Sequence, residues 1–195
     1  MIFHAFKHSI AALASLTPNA LLPKLGAWAT NGKIDGYDWS EIYLLSRFLF
    51  GLALATCIPK SEIVVAIVIV IQTCSIVYLL KIIFPIDIRV LKDPSRSLFF
   101  AIGHYVEIGM CMGYIYWYLD AFNTKPITLA QSVYFSFVTM TTTGFGDITP
   151  STDLARLVVT VHAVVSVFMI ATVIGLFLSL SSAVADSKEQ RNTEP

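Results

Sequence analysis

Residues 141–147 read Thr-Thr-Thr-Gly-Phe-Gly-Asp, a segment in which hydroxyl groups precede two closely spaced glycines. Rings of backbone carbonyl oxygens can replace the water shell of a cation. Aiming successive carbonyls at one axis requires backbone conformations that Gly144 and Gly146 tolerate and branched residues largely do not. Thr142 can add hydroxyl ligands at one end. Because one chain offers one such segment, a complete ring requires four chains.

The elements that must position this segment are predicted from apolar length. About 20 apolar residues in a helix cross the ~30 Å hydrocarbon core of a bilayer. A shorter amphipathic stretch, 127–141, is predicted to be a re-entrant helix whose partially negative C-terminal end points toward the segment and favours a cation. The four stretches long enough to span are 40–58, 62–84, 97–119 and 154–185.

The composition agrees with a membrane protein. Hydrophobic residues make up 56% and charged residues 13% of the chain, and the mean hydropathy is +0.73. Thirteen basic residues balance thirteen acidic ones, which argues against a nucleic-acid partner. Cys57, Cys74 and Cys111 lie in apolar runs without paired spacing, so neither a disulfide framework nor a cysteine metal site is predicted.

The distribution of basic residues predicts the orientation of the chain. Lys60, Lys125 and Arg156 lie on one predicted side, and the other ten basic residues cluster near the opposite helix ends. Since basic residues are enriched in cytoplasmic loops, both termini are predicted to be cytoplasmic and the 120–153 region to face outward. The expected location is a plasma membrane or a bacterial inner membrane.

Residues 139–147, Thr-Met-Thr-Thr-Thr-Gly-Phe-Gly-Asp, resemble the signature of the potassium-channel pore family. The resemblance covers about 97–185. It implies an all-α membrane protein with a re-entrant pore helix and a selectivity filter between the last two of four transmembrane helices, assembled as a homotetramer in lipid. We call 141–147 the filter segment. The implied K⁺ sites are formed by Thr142, Thr143, Gly144 and Phe145, with Gly146 completing the filter; no organic cofactor is implied.

The filter segment departs from the family pattern behind the ion path. Many relatives have a tyrosine where this chain has Phe145, and its hydroxyl bonds to an aromatic donor that Phe135 cannot replace. We expect Tyr134 to support the filter instead by bonding Asp147, with Thr141 as a further support. Counting from the filter, the hinge glycine of many relatives corresponds to Ser166, and Gly175 lies further along; these are the candidate gate or hinge residues.

Four ionisable residues fall inside predicted spans: Arg47, His104, Glu107 and His162. Such groups are costly in lipid, so they are expected to face protein or water. One interpretation is an Arg47–Glu107 ion pair that joins the first and third spans. The other is a gating or proton-sensing role for Glu107 with His104 or His162.

The predicted organisation has four parts. Residues 1–39 form an N-terminal cytoplasmic or interfacial segment, for which a short surface helix is favoured over a cleaved targeting sequence. Residues 40–95 form a peripheral two-helix hairpin and linker, 96–185 the pore module, and 186–195 a short cytoplasmic tail. The second span lacks repeated arginines, so voltage sensing through an Arg-rich helix is not expected. The gating stimulus is expected to come from the spans, the N-terminal segment, lipid or a regulatory partner.

Two alternatives stay open at this stage. One is a non-selective cation channel, or a subunit that is silent by itself. The other is an intramembrane aspartyl protease, because 144–147 fits a Gly-x-Gly-Asp pattern and Tyr37-Asp38 supplies a second carboxylate. That chemistry requires two carboxylates that share a proton. The predicted topology separates Asp38 from Asp147 by ~30 Å of hydrocarbon, which argues against it.

Overall fold

A computed structural model describes residues 36–54, 56, 58–83 and 94–193, with isolated positions between 12 and 28. Most of the predicted N-terminal surface helix, and Cys57, therefore lie outside the described residues. The last helix, Asp153–Thr193, continues through 186–193, which the sequence assigned to a tail. The described ranges form five helices: α1 (Gly36–Leu54), α2 (Glu62–Ile83), α3 (Pro94–Leu119), α4 (Leu129–Met140) and α5 (Asp153–Thr193).

The all-helical class is confirmed, and a helix overlaps each of the four predicted spans. Among the described residues one helix, Asp153–Ser182, is long and apolar enough by itself to cross a bilayer. The apolar parts of α1 and α2 that meet the composition criterion are shorter, at Leu45–Leu54 and Glu62–Val77. The crossing of a membrane by all four helices stays a prediction.

Helix α3 is the centre of the fold, because it contacts each of the other four helices. Two glycines one turn apart on α3 let α4 come close. A Cβ atom at Gly113 would lie 2.8 Å from the Cα of Val133, and one at Gly109 would lie 2.7 Å from Cζ of Phe137. Small residues at such positions allow helix backbones to approach closely in membranes.

An apolar cluster joins α3 and α4 to the chain on both sides of α4. Its buried members are Tyr116, Phe122, Ile127, Phe135 and Ile148. The Phe135 ring meets those of Tyr116 and Phe122 edge-on, with centroids 5.2 and 5.0 Å apart. Edge-to-face pairs each add about 0.5–1.5 kcal/mol beyond the area they bury. Phe135, which has no polar donor, thus contributes packing to the support of the filter segment.

Helix α5 is continuous through both candidate hinge positions. Ser166 is buried, and its Oγ donates to the carbonyl of His162 one turn earlier, at 2.7 Å. A Cβ atom added to Gly175 would have no neighbour within 4 Å. In this structure neither residue marks an interruption of the helix.

Candidate functional site

The start and end of α4 are fixed by side chains. Thr128 and Gln131 form a capping box, in which Thr128 Oγ1 accepts from the Gln131 amide and Gln131 Oε1 accepts from the Thr128 amide. At the other end, the hydroxyl of Tyr105 on α3 donates to the carbonyl of Met140 at 3.0 Å. The C-terminal end of α4, with its partial negative charge, is thereby held next to the filter segment.

Every second residue of the filter segment has a left-handed backbone. The φ angles are 58° at Thr142, 56° at Gly144 and 77° at Gly146. A Cβ atom added to either glycine would have no neighbour within 4 Å, so these positions require glycine for its conformation and not for lack of space. Thr142 is β-branched, and this conformation costs it on the order of 1–3 kcal/mol. The sequence did not predict that strain.

The first half of the filter segment is hydrogen-bonded through its main-chain amides to the last turn of α4. The carbonyl of Val138 accepts the amides of both Thr143 and Gly144, at 3.1 and 3.3 Å, and the Thr142 amide donates to the Thr139 carbonyl at 3.1 Å. Carbonyls in the last turn of a helix have no partner within the helix. Here they hold the residues whose own carbonyls are the candidate ion ligands.

Two threonine hydroxyls brace this half of the segment. Thr141 Oγ1 donates to the carbonyl of Phe137 at 2.7 Å. It also lies 3.0 Å from Thr143 Oγ1, and because its hydrogen is directed at Phe137, the Thr143 hydroxyl is the donor of this second bond. Thr141, a predicted support residue, therefore joins α4 to Thr143 further along the filter segment.

The second half of the filter segment contacts Tyr134. Its hydroxyl donates to Asp147 Oδ2 at 2.9 Å, which is the contact expected from the sequence. The Tyr134 ring also stacks on Phe145, with planes 2° apart and centroids 6.4 Å apart. One residue of α4 thus contacts the two side chains on either side of Gly146.

Asn123, in the loop between α3 and α4, is a site residue that the sequence did not reveal. Its side-chain Nδ2 donates to the carbonyl of Asp147 at 3.0 Å, and its Oδ1 accepts the amide of Thr149 at 2.9 Å. Its own amide donates to the Thr149 carbonyl at 3.0 Å. No motif marks this residue, because an asparagine in a loop is ordinarily a turn residue.

The ionisable residues form two separate groups. Glu107 on α3 accepts from Arg47 Nη2 of α1 at 2.7 Å, from Gln72 Nε2 of α2 at 2.9 Å and from His104 Nδ1 at 2.7 Å. The expected contact between Arg47 and Glu107 is present. The bond from Gln72 also connects α2 to Glu107, which the sequence did not predict. His162 lies elsewhere and its Nδ1 is 2.9 Å from the hydroxyl of Tyr116, so the structure does not pair it with Glu107.

The chemistry of the site is that of oxygen ligands on the backbone. In the described part of the chain, no group of three or more His, Cys, Asp or Glu side chains could hold a metal ion. The carboxylate of Asp147 is engaged by Tyr134. The side chain of Asp38, the second carboxylate of the protease alternative, lies outside the described residues. What the filter segment offers to a ligand is carbonyl and hydroxyl oxygen, which suits a hard monovalent cation.

A family model described as an ion channel matches residues 64–182. The matched range includes nearly all of α2, all of α3, α4 and the filter segment, and α5 as far as Ser182, while α1 lies outside it. Neither the curated proteins nor the solved structures contain a match to this chain.

Proposed function

The chain belongs to the ion channel family, and from that premise we propose that four copies of it form a channel that conducts K⁺ selectively across a membrane. The observation that carries the proposal is the left-handed backbone at Thr142, Gly144 and Gly146, directly after the C-terminal end of α4. This combination supports a segment whose carbonyls line an ion path. The membrane character of the family and the apolar helix within α5 are consistent with it.

The proposed ligands are backbone carbonyls of the filter segment. Thr142, Thr143, Gly144 and Phe145 supply carbonyls, and the Thr142 hydroxyl adds a ligand at the end nearest α4. One chain contributes one segment, so we propose a closed ring of four subunits around the ion path. Gly146 gives the backbone its turn after the last ligand.

The charge distribution around the segment favours a cation. Helix α4 directs its partially negative end at the proposed ion path. Since Asp147 is bonded to Tyr134, we propose it as a support of the filter and not as an ion ligand. The termini are proposed to be cytoplasmic, and Gly175 is the proposed point at which α5 bends on opening.

Ion flux into proteoliposomes that contain the purified full chain tests this function. We expect K⁺ to enter far faster than Na⁺. Gly144→Ala and Gly146→Ala should each abolish flux, because alanine tolerates their positive φ poorly. Gly103→Ala is the matched control, since this α3 glycine has no positive φ and a Cβ atom there would have no neighbour within 4 Å. Equal fluxes of Na⁺ and K⁺ would favour a non-selective cation channel.

A further inference from the structure

The residues after the filter segment are paired with the loop that follows α3. Phe122 and Pro150 form an isolated antiparallel β-bridge, and the Ser151 amide donates to the carbonyl of Ala121 at 2.9 Å. The Asn123 amide extends the pairing to the Thr149 carbonyl. The filter segment is therefore held at one end by α4 and at the other by this short ladder.

Asn123 adds side-chain bonds at the point where the ladder meets the filter segment. Both polar atoms of its amide are used, one on the Asp147 carbonyl and one on the Thr149 amide. Tyr134 holds the carboxylate of the same Asp147 from α4. Asp147 is thus hydrogen-bonded through its carbonyl to Asn123 of the loop and through its carboxylate to Tyr134 of α4.

The loop that carries Asn123 has a fixed base. Phe122 is completely buried, and Ile127 and Ile148 are 2% and 7% exposed. Asp120 Oδ1 accepts the Ile127 amide at 2.8 Å, which closes the loop across these buried side chains. Asn123 consequently bonds the filter segment from a loop that buried side chains hold in place.

The bonds to Asp147 are important because the preceding residue is Gly146. Its φ angle is 77°, and a Cβ atom there would meet nothing within 4 Å in this chain. Glycine also tolerates a wide range of backbone conformations. The bonds to the adjacent Asp147 therefore restrict the chain next to a residue whose own backbone preferences are weak.

We propose that Asn123 is a positioning residue that holds the Asp147 end of the filter segment in its conducting conformation. The inference rests on the proposed function, because it specifies how this chain keeps that filter in place. It predicts that loss of the Asn123 bonds shortens the conducting state without preventing assembly. Asn123 itself touches no ion.

Two variants separate the bonds of Asn123. Asn123→Leu keeps the approximate shape of the side chain and removes all three of its bonds, to the Asp147 carbonyl and from the Thr149 and Thr124 amides. Asn123→Asp keeps an acceptor for the Thr149 amide and loses the donor to the Asp147 carbonyl. Thr124→Ala is the control in the same loop, since the bond from Thr124 to Asn123 is made by its main-chain amide.

Single-channel recording of the full chain in planar bilayers gives the first readout. We expect the mean conducting lifetime to fall roughly tenfold or more in Asn123→Leu, which loses three bonds, and to fall also in Asn123→Asp, which replaces the donor to the Asp147 carbonyl by an oxygen. Thr124→Ala should match the unmodified chain, and all variants should keep its oligomeric state. An unchanged lifetime in Asn123→Leu overturns the proposal.

Hydrogen–deuterium exchange of the same preparations gives a readout that needs no conduction. The peptide that contains the Thr149 amide should exchange faster in Asn123→Leu, whereas Asn123→Asp and Thr124→Ala should retain its protection. Equal exchange in Asn123→Leu and the unmodified chain contradicts the proposal even if the channel is silent. Absence of K⁺ flux in the unmodified chain, with the expected exchange pattern, counts instead against the proposed function.

Discussion

Arg47 and Glu107 lie 60 residues apart in the sequence and meet in a buried ion pair with an N–O distance of 2.7 Å. Gln72 and His104 complete the surroundings of the Glu107 carboxylate, so α1, α2 and α3 share one buried polar contact. Helix α3 in turn carries Gly109 and Gly113, against which α4 packs. Helices α1 and α2 and the helix that supports the filter segment, α4, are therefore all attached to α3.

Glu107→Gln should destabilise the protein far more than it alters ion selectivity. The substitution leaves the Arg47 charge buried without its counter-ion, and removing one partner of a buried pair costs about 3–5 kcal/mol. Thermal unfolding of the purified assembly measures the loss, and flux of K⁺ and Na⁺ through the surviving fraction measures selectivity. A variant that is as stable as the unmodified chain but admits Na⁺ freely would contradict this account.

Tyr134→Phe should weaken the filter support without affecting assembly. The variant keeps the ring that stacks on Phe145 and loses only the hydroxyl that bonds Asp147. One such bond contributes about 1 kcal/mol, so the conducting lifetime should fall roughly fivefold. Single-channel recordings beside a size-exclusion profile test this. An unchanged lifetime would show that the bond does not support the conducting state.

Gly113→Ala should displace α4 and destabilise the pore module by about 1–3 kcal/mol, the usual cost of overpacking. The added methyl group would lie 2.8 Å from the Cα of Val133, a backbone atom that cannot rotate away. Gly103→Ala on the same helix is the control, because its methyl group meets nothing within 4 Å. Thermal melts of the two variants should differ clearly, and equal melting temperatures would argue against close α3–α4 packing.

Thr142→Gly should be more stable than Thr142→Ala, although both lack the hydroxyl. The φ angle of 58° at this position suits glycine and strains any residue with a Cβ atom. The difference should be about 1 kcal/mol in the free energy of unfolding. Both variants should still conduct K⁺, since the Thr142 carbonyl remains. A more stable alanine variant would contradict the left-handed assignment at Thr142.

The sequence was informative where function depends on local pattern. Apolar runs placed the helices, and the spacing of Gly144 and Gly146 located the segment that needs left-handed backbone. The contact between Arg47 and Glu107 could be expected because a charge in an apolar span requires a partner. In each case the physical constraint acts on a residue type or on a short stretch of chain.

What the sequence missed depends on contacts between distant elements. Asn123 has no feature in the sequence that distinguishes it from other loop asparagines, and only the fold shows its bond to Asp147. Gln72 is likewise a polar residue in an apolar helix, and its contact with Glu107 is visible only in the structure. The left-handed Thr142 runs against the preference of a β-branched residue, so only the surrounding bonds explain it. Such features are set by tertiary packing and leave no periodic signal.

The central claim is that the filter segment selects K⁺, and the reversal potential of the purified full chain tests it most directly. The chain is placed in a planar bilayer with K⁺ on one side and an equal concentration of Na⁺ on the other. The account predicts a large reversal potential of the sign that marks K⁺ as the permeant ion, and no current after Gly146→Ala. A reversal potential near zero in the unmodified chain would contradict it.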